Sequence, residues 1–202
     1  MKYRIRQAHD FYRKFIYNEE LQALLREHHL HVAGSVPSVL WELFGAILTG
    51  DDGKPGYGSD LEHHEVKSAQ GRGSFEYQYH LHGGRQKLIE DSAVDHLFIS
   101  YSPDYRDLGV RVMKGAELKE RFDGWMPGLI ANYEGESPKQ RYRRSVPFGV
   151  VSKTGELILQ VRGGELVAVE RSAAKEASSG NASRSTPRPA RTQRPRSRKA
   201  LG

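Results

Sequence analysis

The chain has 202 residues, no cysteine, 37% hydrophobic side chains and a formal net charge of +6. That apolar content suits one soluble core, and the missing cysteines exclude disulfides, thiolate metal sites and cysteine nucleophiles. The N-terminal MKYRIRQAHDFYRKF lacks the apolar run of a signal peptide, and no stretch reaches the roughly 18 apolar residues of a membrane span, so a cytoplasmic protein is expected.

In chain order, residues 9–27 place Phe11, Phe15, Ile16, Leu21, Leu24 and Leu25 at roughly helical spacing and predict one amphipathic helix. A second helix is predicted over 37–48, with Ser35 or Ser38 as cap and Gly50 as stop. The loop DDGKPGYGS follows, then strand-like segments at 61–68, 75–81, 96–101 and 108–113, with a helix over 85–93 between the second and third. Residues 116–133 read as one or two helical pieces broken near Pro127, and 148–161 as a final hairpin turning near Lys153, Thr154 and Gly155. This order predicts a mixed α/β (α+β) domain around one central sheet. The domain is expected to span 1–170. Residues 171–202 are Ser/Arg/Pro-rich with almost no large apolar side chain, and are expected to be a disordered basic tail. The charge divides the same way: nine Lys/Arg and one acid lie in the tail, against 22 basic and 24 acidic side chains before it.

The chemistry-bearing stretch is Gly58-Ser59-Asp60-Leu61-Glu62-His63-His64-Glu65-Val66-Lys67-Ser68. In a strand, Glu65 and Lys67 project from one face and Val66 from the other. If the chain reverses between Leu61 and His64, Asp60 lies across from Glu65, and two carboxylates so close repel unless a cation offsets them. Hard oxygen ligands suit Mg²⁺. Phosphodiester hydrolysis needs such a metal, and a cation to orient water or stabilise developing charge, the role open to Lys67. Asp60, Glu65 and Lys67 are therefore the candidate catalytic residues, with Asp60 and Glu65 on the metal.

The D-x4-E-x-K arrangement, with LTGDDGKPGYGSD before it, SFEYQYHLH and DHLFISY after it, and SPK at Ser137 to Lys139, resembles the PD-(D/E)XK nucleases, and among them the orthodox type II restriction endonucleases. The resemblance covers about residues 20–159. It implies a restriction-endonuclease-like central mixed sheet flanked by helices, Mg²⁺ as cofactor, and a prokaryotic homodimer that cuts both strands of double-stranded DNA beside a separately encoded methyltransferase. It also implies a helix carboxylate, Glu42, as a further metal ligand. Groove-reading residues would be Gln78, His80 and His82, and a second contact loop would hold Ser137 and Lys139 with Arg141, Arg143 and Arg144 nearby. The Asp-to-Glu spacing is shorter than that group's, so the turn must be tighter. The histidines His28, His29 and His31 are expected to be no metal site.

Two other functions remain open on sequence: a repair or recombination nuclease of the same fold, such as a nickase or junction resolvase, and a non-catalytic DNA-binding protein drawing its affinity from the tail.

Overall fold

The computed structural model describes residues 2–30 and 36–168. The elements are α1 (Ile5–Phe15), α2 (Glu19–Glu27), α3 (Ser38–Thr49), β1 (His64–Gln70), β2 (Phe75–His80), α4 (Gly84–Asp91), β3 (Asp95–Tyr101), β4 (Leu108–Met113), α5 (Gly115–Glu134), β5 (Arg141–Val146), α6 (Phe148–Thr154), β6 (Glu156–Arg162) and β7 (Glu165–Val167). Five strands form a mixed sheet in the order β1-β3-β4-β6-β7, in which β1 and β3 run parallel and the other pairs antiparallel. The mixed α/β class expected from the sequence is the architecture found.

Alternation along the strands sends side chains to two cores. On one face Val66, Leu97, Ile99, Val110 and Val112 meet Ala8 and Tyr12 of α1 and Trp41, Phe44 and Leu48 of α3. On the other, Ala69, Phe98 and Met113 meet Leu88 of α4, and Leu118, Phe122, Trp125 and Leu129 of α5. The sheet is thus flanked by helices on both faces. Gly45 brings α3 close: a Cβ there would lie 2.8 Å from Val66 Cγ2 and 3.2 Å from Leu97 Cδ1.

Several expectations are corrected. The first helix is two, because Asn18 leaves the helical region (φ −95, ψ 110) and its side chain accepts from Leu21 N as a cap. Helix α3 ends at Gly50, in the left-handed region (φ 74), but Pro37 occupies the N-cap position and no side chain caps it; Ser35 lies outside the described residues. Pro127 sits inside one continuous α5 rather than breaking it. Residues 148–154 are helical, not a hairpin arm: Pro147, at φ −64, stands at the N-cap of α6. The hairpin forms one step later, between β6 and β7 across Gly163 and Gly164. There are also two sheets rather than one, since β2 leaves the central sheet to pair antiparallel with β5, which the sequence reading left unassigned. Among the described residues no helix is long and apolar enough to cross a membrane. The tail expected over 171–202 lies outside the described residues.

Candidate active site

The site forms at the sheet's edge, where the loop after α3 doubles back onto β1. Leu61 N donates to His64 O at 2.9 Å, closing a reversal over Glu62 and His63. Asp51 fastens it, its Oδ2 accepting from His63 N at 2.8 Å and lying 2.8 Å from His64 Nδ1. Asp60 is thereby set beside Glu65: its N–H donates to Glu65 Oε2 at 3.0 Å, while its own Oδ2 accepts from Val66 N at 2.9 Å. Because β1 is an edge strand, that carboxylate satisfies a backbone donor that no neighbouring strand reaches.

Three oxygens converge at this point. The Lys67 ammonium is bonded to Glu65 Oε1, lies 3.5 Å from Asp60 Oδ2, and donates to the Val66 carbonyl at 3.3 Å. Val66's side chain turns into the opposite core, as strand alternation requires. Glu65 is completely buried, whereas the side chains of Lys67 and Asp60 keep 16% and 21% of their exposure, so the site opens to solvent on their side.

The electrostatics separate the two acids. Burial opposes the charge on Glu65, but Lys67 and Lys87 outweigh it and hold the carboxyl down to about 2. Asp60 is pushed up, by burial first and by the Glu65 charge, with Lys67 pulling the other way. Burial works against the Lys67 cation, yet Glu65 and Asp60 prevail and raise its pKa, so it stays charged at neutral pH. Glu42 faces the same point from α3: burial and the Asp60 charge raise its carboxyl, and Ser38 hydrogen-bonds to it.

Four further residues belong to the centre. Lys87 of α4 donates to Glu65 Oε1 at 2.8 Å, to Gly58 O at 2.9 Å and to Asp91 Oδ1 at 2.9 Å. Burial and the Glu65 charge push Asp91 up to about 7, and its Oδ2 is buried with no hydrogen-bond partner among the described residues. His96 Nε2 lies 2.7 Å from the Asp91 carbonyl, which can only accept, so Nε2 carries the proton and Nδ1 accepts from the Tyr77 hydroxyl at 2.8 Å. Burial holds His96 down to about 4, hence neutral. The Tyr77 ring in turn lies 5.2 Å from the Lys67 ammonium. The available signal for Lys87 and Asp91 was their four-residue spacing on one face of a predicted helix; nothing in the sequence aimed that face at Glu65.

The donor set fits a divalent cation. A single positive group already touches two carboxylates and a carbonyl, and oxygens of this type are what Mg²⁺ prefers. Asp60, Glu65 and the Val66 carbonyl would hold the ion, and the ion and the Lys67 ammonium would compete for the same oxygens; Glu42, the further ligand expected from the sequence, feels the charge of both acids but does not form with them a group of ligand atoms within 4.8 Å among the described residues. Asp51, Glu62 and His63 form another group of ligand types, with atoms within 4.8 Å of one another. Asp51 there is already engaged in tying the reversal.

The expected DNA-contact residues divide. Gln78 and His80 share the outer face of β2, opposite Arg143 and Arg141 of β5, and Arg141 donates to Gln78 Oε1 at 3.2 Å. Arg143 lies 3.8 Å from Glu76. The ribbon's inner face, with Phe75, Tyr77, Tyr79 and Tyr142, rests on Phe122 and Trp125. Arg144 stands over the Tyr142 ring at 4.3 Å, apart from the outer face. His82 is not in register with Gln78 and His80, because β2 ends at His80 and the chain turns before α4. Ser137 and Lys139 are exposed between α5 and β5. His28 ends α2, and His31 lies outside the described residues. No family model matches the chain and no curated protein matches it.

Proposed function

We propose that the protein is a Mg²⁺-dependent type II restriction endonuclease that hydrolyses phosphodiester bonds of double-stranded DNA at a specific site. The observation that carries the reading is the meeting of Asp60, Glu65 and the Val66 carbonyl around the ammonium of Lys67, two residues on from Glu65 in the same strand. Bound Mg²⁺ would polarise a phosphoryl oxygen and acidify a water. Asp60 and Glu65 would hold the ion in place of the Lys67 ammonium, and Lys67, displaced from their oxygens but still beside them, would stabilise charge developing on the phosphate and orient water. Gln78, His80, Arg141 and Arg143 on the outer ribbon face contact DNA, since a two-stranded β-ribbon fits the major groove, and Ser137, Lys139 and His82 flank them. A restriction role brings with it a homodimer on a palindrome and a partner methyltransferase.

One observation favours a second reading. Glu65 is wholly buried with both oxygens engaged, as a purely structural ion cluster would be, in a DNA-binding protein without catalysis. Asp60→Asn and Lys67→Met separate the two: the former keeps the acceptor for Val66 N, and the latter keeps the aliphatic stem. With unmethylated plasmid and Mg²⁺, the wild type is expected to give discrete fragments and both variants at least ~100-fold less product, the scale of removing a preorganised charge-stabilising group. Wild-type protein that binds duplex but yields no Mg²⁺-dependent product would establish the second reading. Selective cutting of nicked or four-way-junction DNA would move the activity to repair.

A further inference from the structure

A cleft of about 420 Å³ opens at the far end of β1, where the β1–β2 turn meets the ends of β3, β4 and β6 and the start of α6. It lies on the same face of the sheet as the candidate active site. Lys67 pairs with Phe98 and Phe98 with Arg111, while Ala69 pairs with Ser100 and Ser100 with Gly109, so these side positions share one face. From Lys67 to Gly71 is four strand residues, roughly 13 Å.

Three guanidinium groups line the cleft, Arg72, Arg111 and Arg162, against one carboxylate, Asp107. Arg162 lies 3.3 Å from Asp107 Oδ2, and Asp107 Oδ1 also accepts from Gly163 N at 2.9 Å. Arg72 stacks over Phe148 at 5.9 Å and has no acidic partner among the described residues. Arg111 is half-buried, and its sole partner among them is a neutral one, the Gly155 carbonyl at 2.8 Å. A charge drawn out of water into a concave wall without a counter-charge is costly, and here burial works against the Arg111 cation. Such a group stays favourable when an external anion completes it. The planar fork of arginine matches the paired oxygens of a phosphate, and Ser100 places a hydroxyl in the same wall.

We propose that this cleft is a phosphate-binding site anchored by Arg111 and flanked by Arg72 and Arg162, and that the phosphate belongs to the backbone of the bound nucleic acid. The choice of nucleic acid as the source rests on the nuclease reading; the phosphate site itself does not. Arg111 stands two strands across from Lys67 at the same register, roughly 10 Å away, which corresponds to about three base-pair steps of duplex rise at ~3.4 Å each, so one DNA strand can engage both places.

The test uses the full chain and the variants Arg111→Gln and, at an exposed position safe for folding, Arg72→Gln. Duplex binding is followed by fluorescence anisotropy in EDTA over a salt series, beside titrations with inorganic phosphate and pyrophosphate. Each substitution is expected to weaken duplex binding about three- to tenfold near 0.15 M salt and to lower the salt slope by about one. Unchanged affinity and slope in both variants would overturn the proposal. Loss of pyrophosphate binding with an unaltered duplex slope would overturn the nucleic-acid source and reassign the cleft to a free phosphate compound. Because binding is read without Mg²⁺, a chain that never cuts DNA would defeat the nuclease reading while leaving this result intact.

Discussion

Glu65 carries two ammonium groups on one oxygen and a backbone N–H on the other, in a position that water does not reach. Removing one partner of such a buried set costs more than forming it contributes, because the remaining charges stay desolvated; about 3–5 kcal/mol is typical. Lys87→Met strips Glu65 and Asp91 of their shared cation, and should lower the melting temperature by roughly 10 °C at 2–4 °C per kcal/mol, as read by calorimetry. A loss within error would mean that Lys87 stabilises nothing. Two buried neighbours titrate in opposite senses. Asp91 rises from 3.8 to about 7 on folding, so the fold retains a proton that the unfolded chain has released, and its contribution declines as pH climbs from about 4 to 7. His96 falls from 6.5 to about 4, so the unfolded chain gains a proton that the fold refuses, and stability is lost as pH drops through the same window. The two slopes offset each other in the wild type. Asp91→Asn removes one, and its urea midpoint should fall more steeply than the wild type's between pH 6.5 and 4.5; parallel profiles would show that Asp91 does not titrate there.

The helix and strand that build the centre are held together by what Gly45 lacks. With no side chain at that position, α3 settles onto Val66 and Leu97, and Glu42 is carried toward Asp60. Gly45→Ala forces Val66 to another rotamer or lifts the helix, at about 1–3 kcal/mol for overpacking. Under the nuclease reading it should also raise the Mg²⁺ concentration needed for half-maximal cleavage, measured alongside the melting temperature. An unchanged metal requirement in a destabilised variant would remove Glu42 from the site. The ribbon of β2 and β5 follows a different logic. Its aromatic inner face is fixed against α5, which frees the outer face for Gln78, His80, Arg141 and Arg143.

Across the whole sequence, charge is unevenly divided. Residues 1–170 carry a small acidic excess and the last 32 a strong basic one, so under the DNA-binding reading general attraction for a polyanion would fall to the last 32, while the arginines of the ribbon and of the cleft sit within a nearly neutral stretch of sequence. Under the nuclease reading, protein ending at Glu170 should bind duplex more weakly, with a shallower dependence on salt, yet still cut at low salt with Mg²⁺. Identical salt slopes for the two lengths, in parallel anisotropy titrations, would deny the tail that role.

What the sequence determined by itself is local. Residues two apart in a strand share a face, so Glu65 and Lys67 had to meet. A reversal between Leu61 and His64, if it formed, would bring Asp60 beside them, and the structure supplies it through Leu61 N and His64 O, while a glycine after an apolar helical run marked the stop of α3. The same locality leaves other segments open: Asn18 and the run Arg141–Val146 have side chains compatible with several backbones, Pro147 with its fixed φ can precede a helix or a strand, and neighbours in space select one. Only the tertiary structure decided that α4 delivers Lys87 and Asp91 to Glu65, that His96 closes onto Tyr77, that β5 comes back to β2, and that Arg72, Arg111 and Arg162 share one wall. Those contacts join residues far apart in the chain, and they form because burying two apolar faces of one sheet dictates which polar groups are enclosed together.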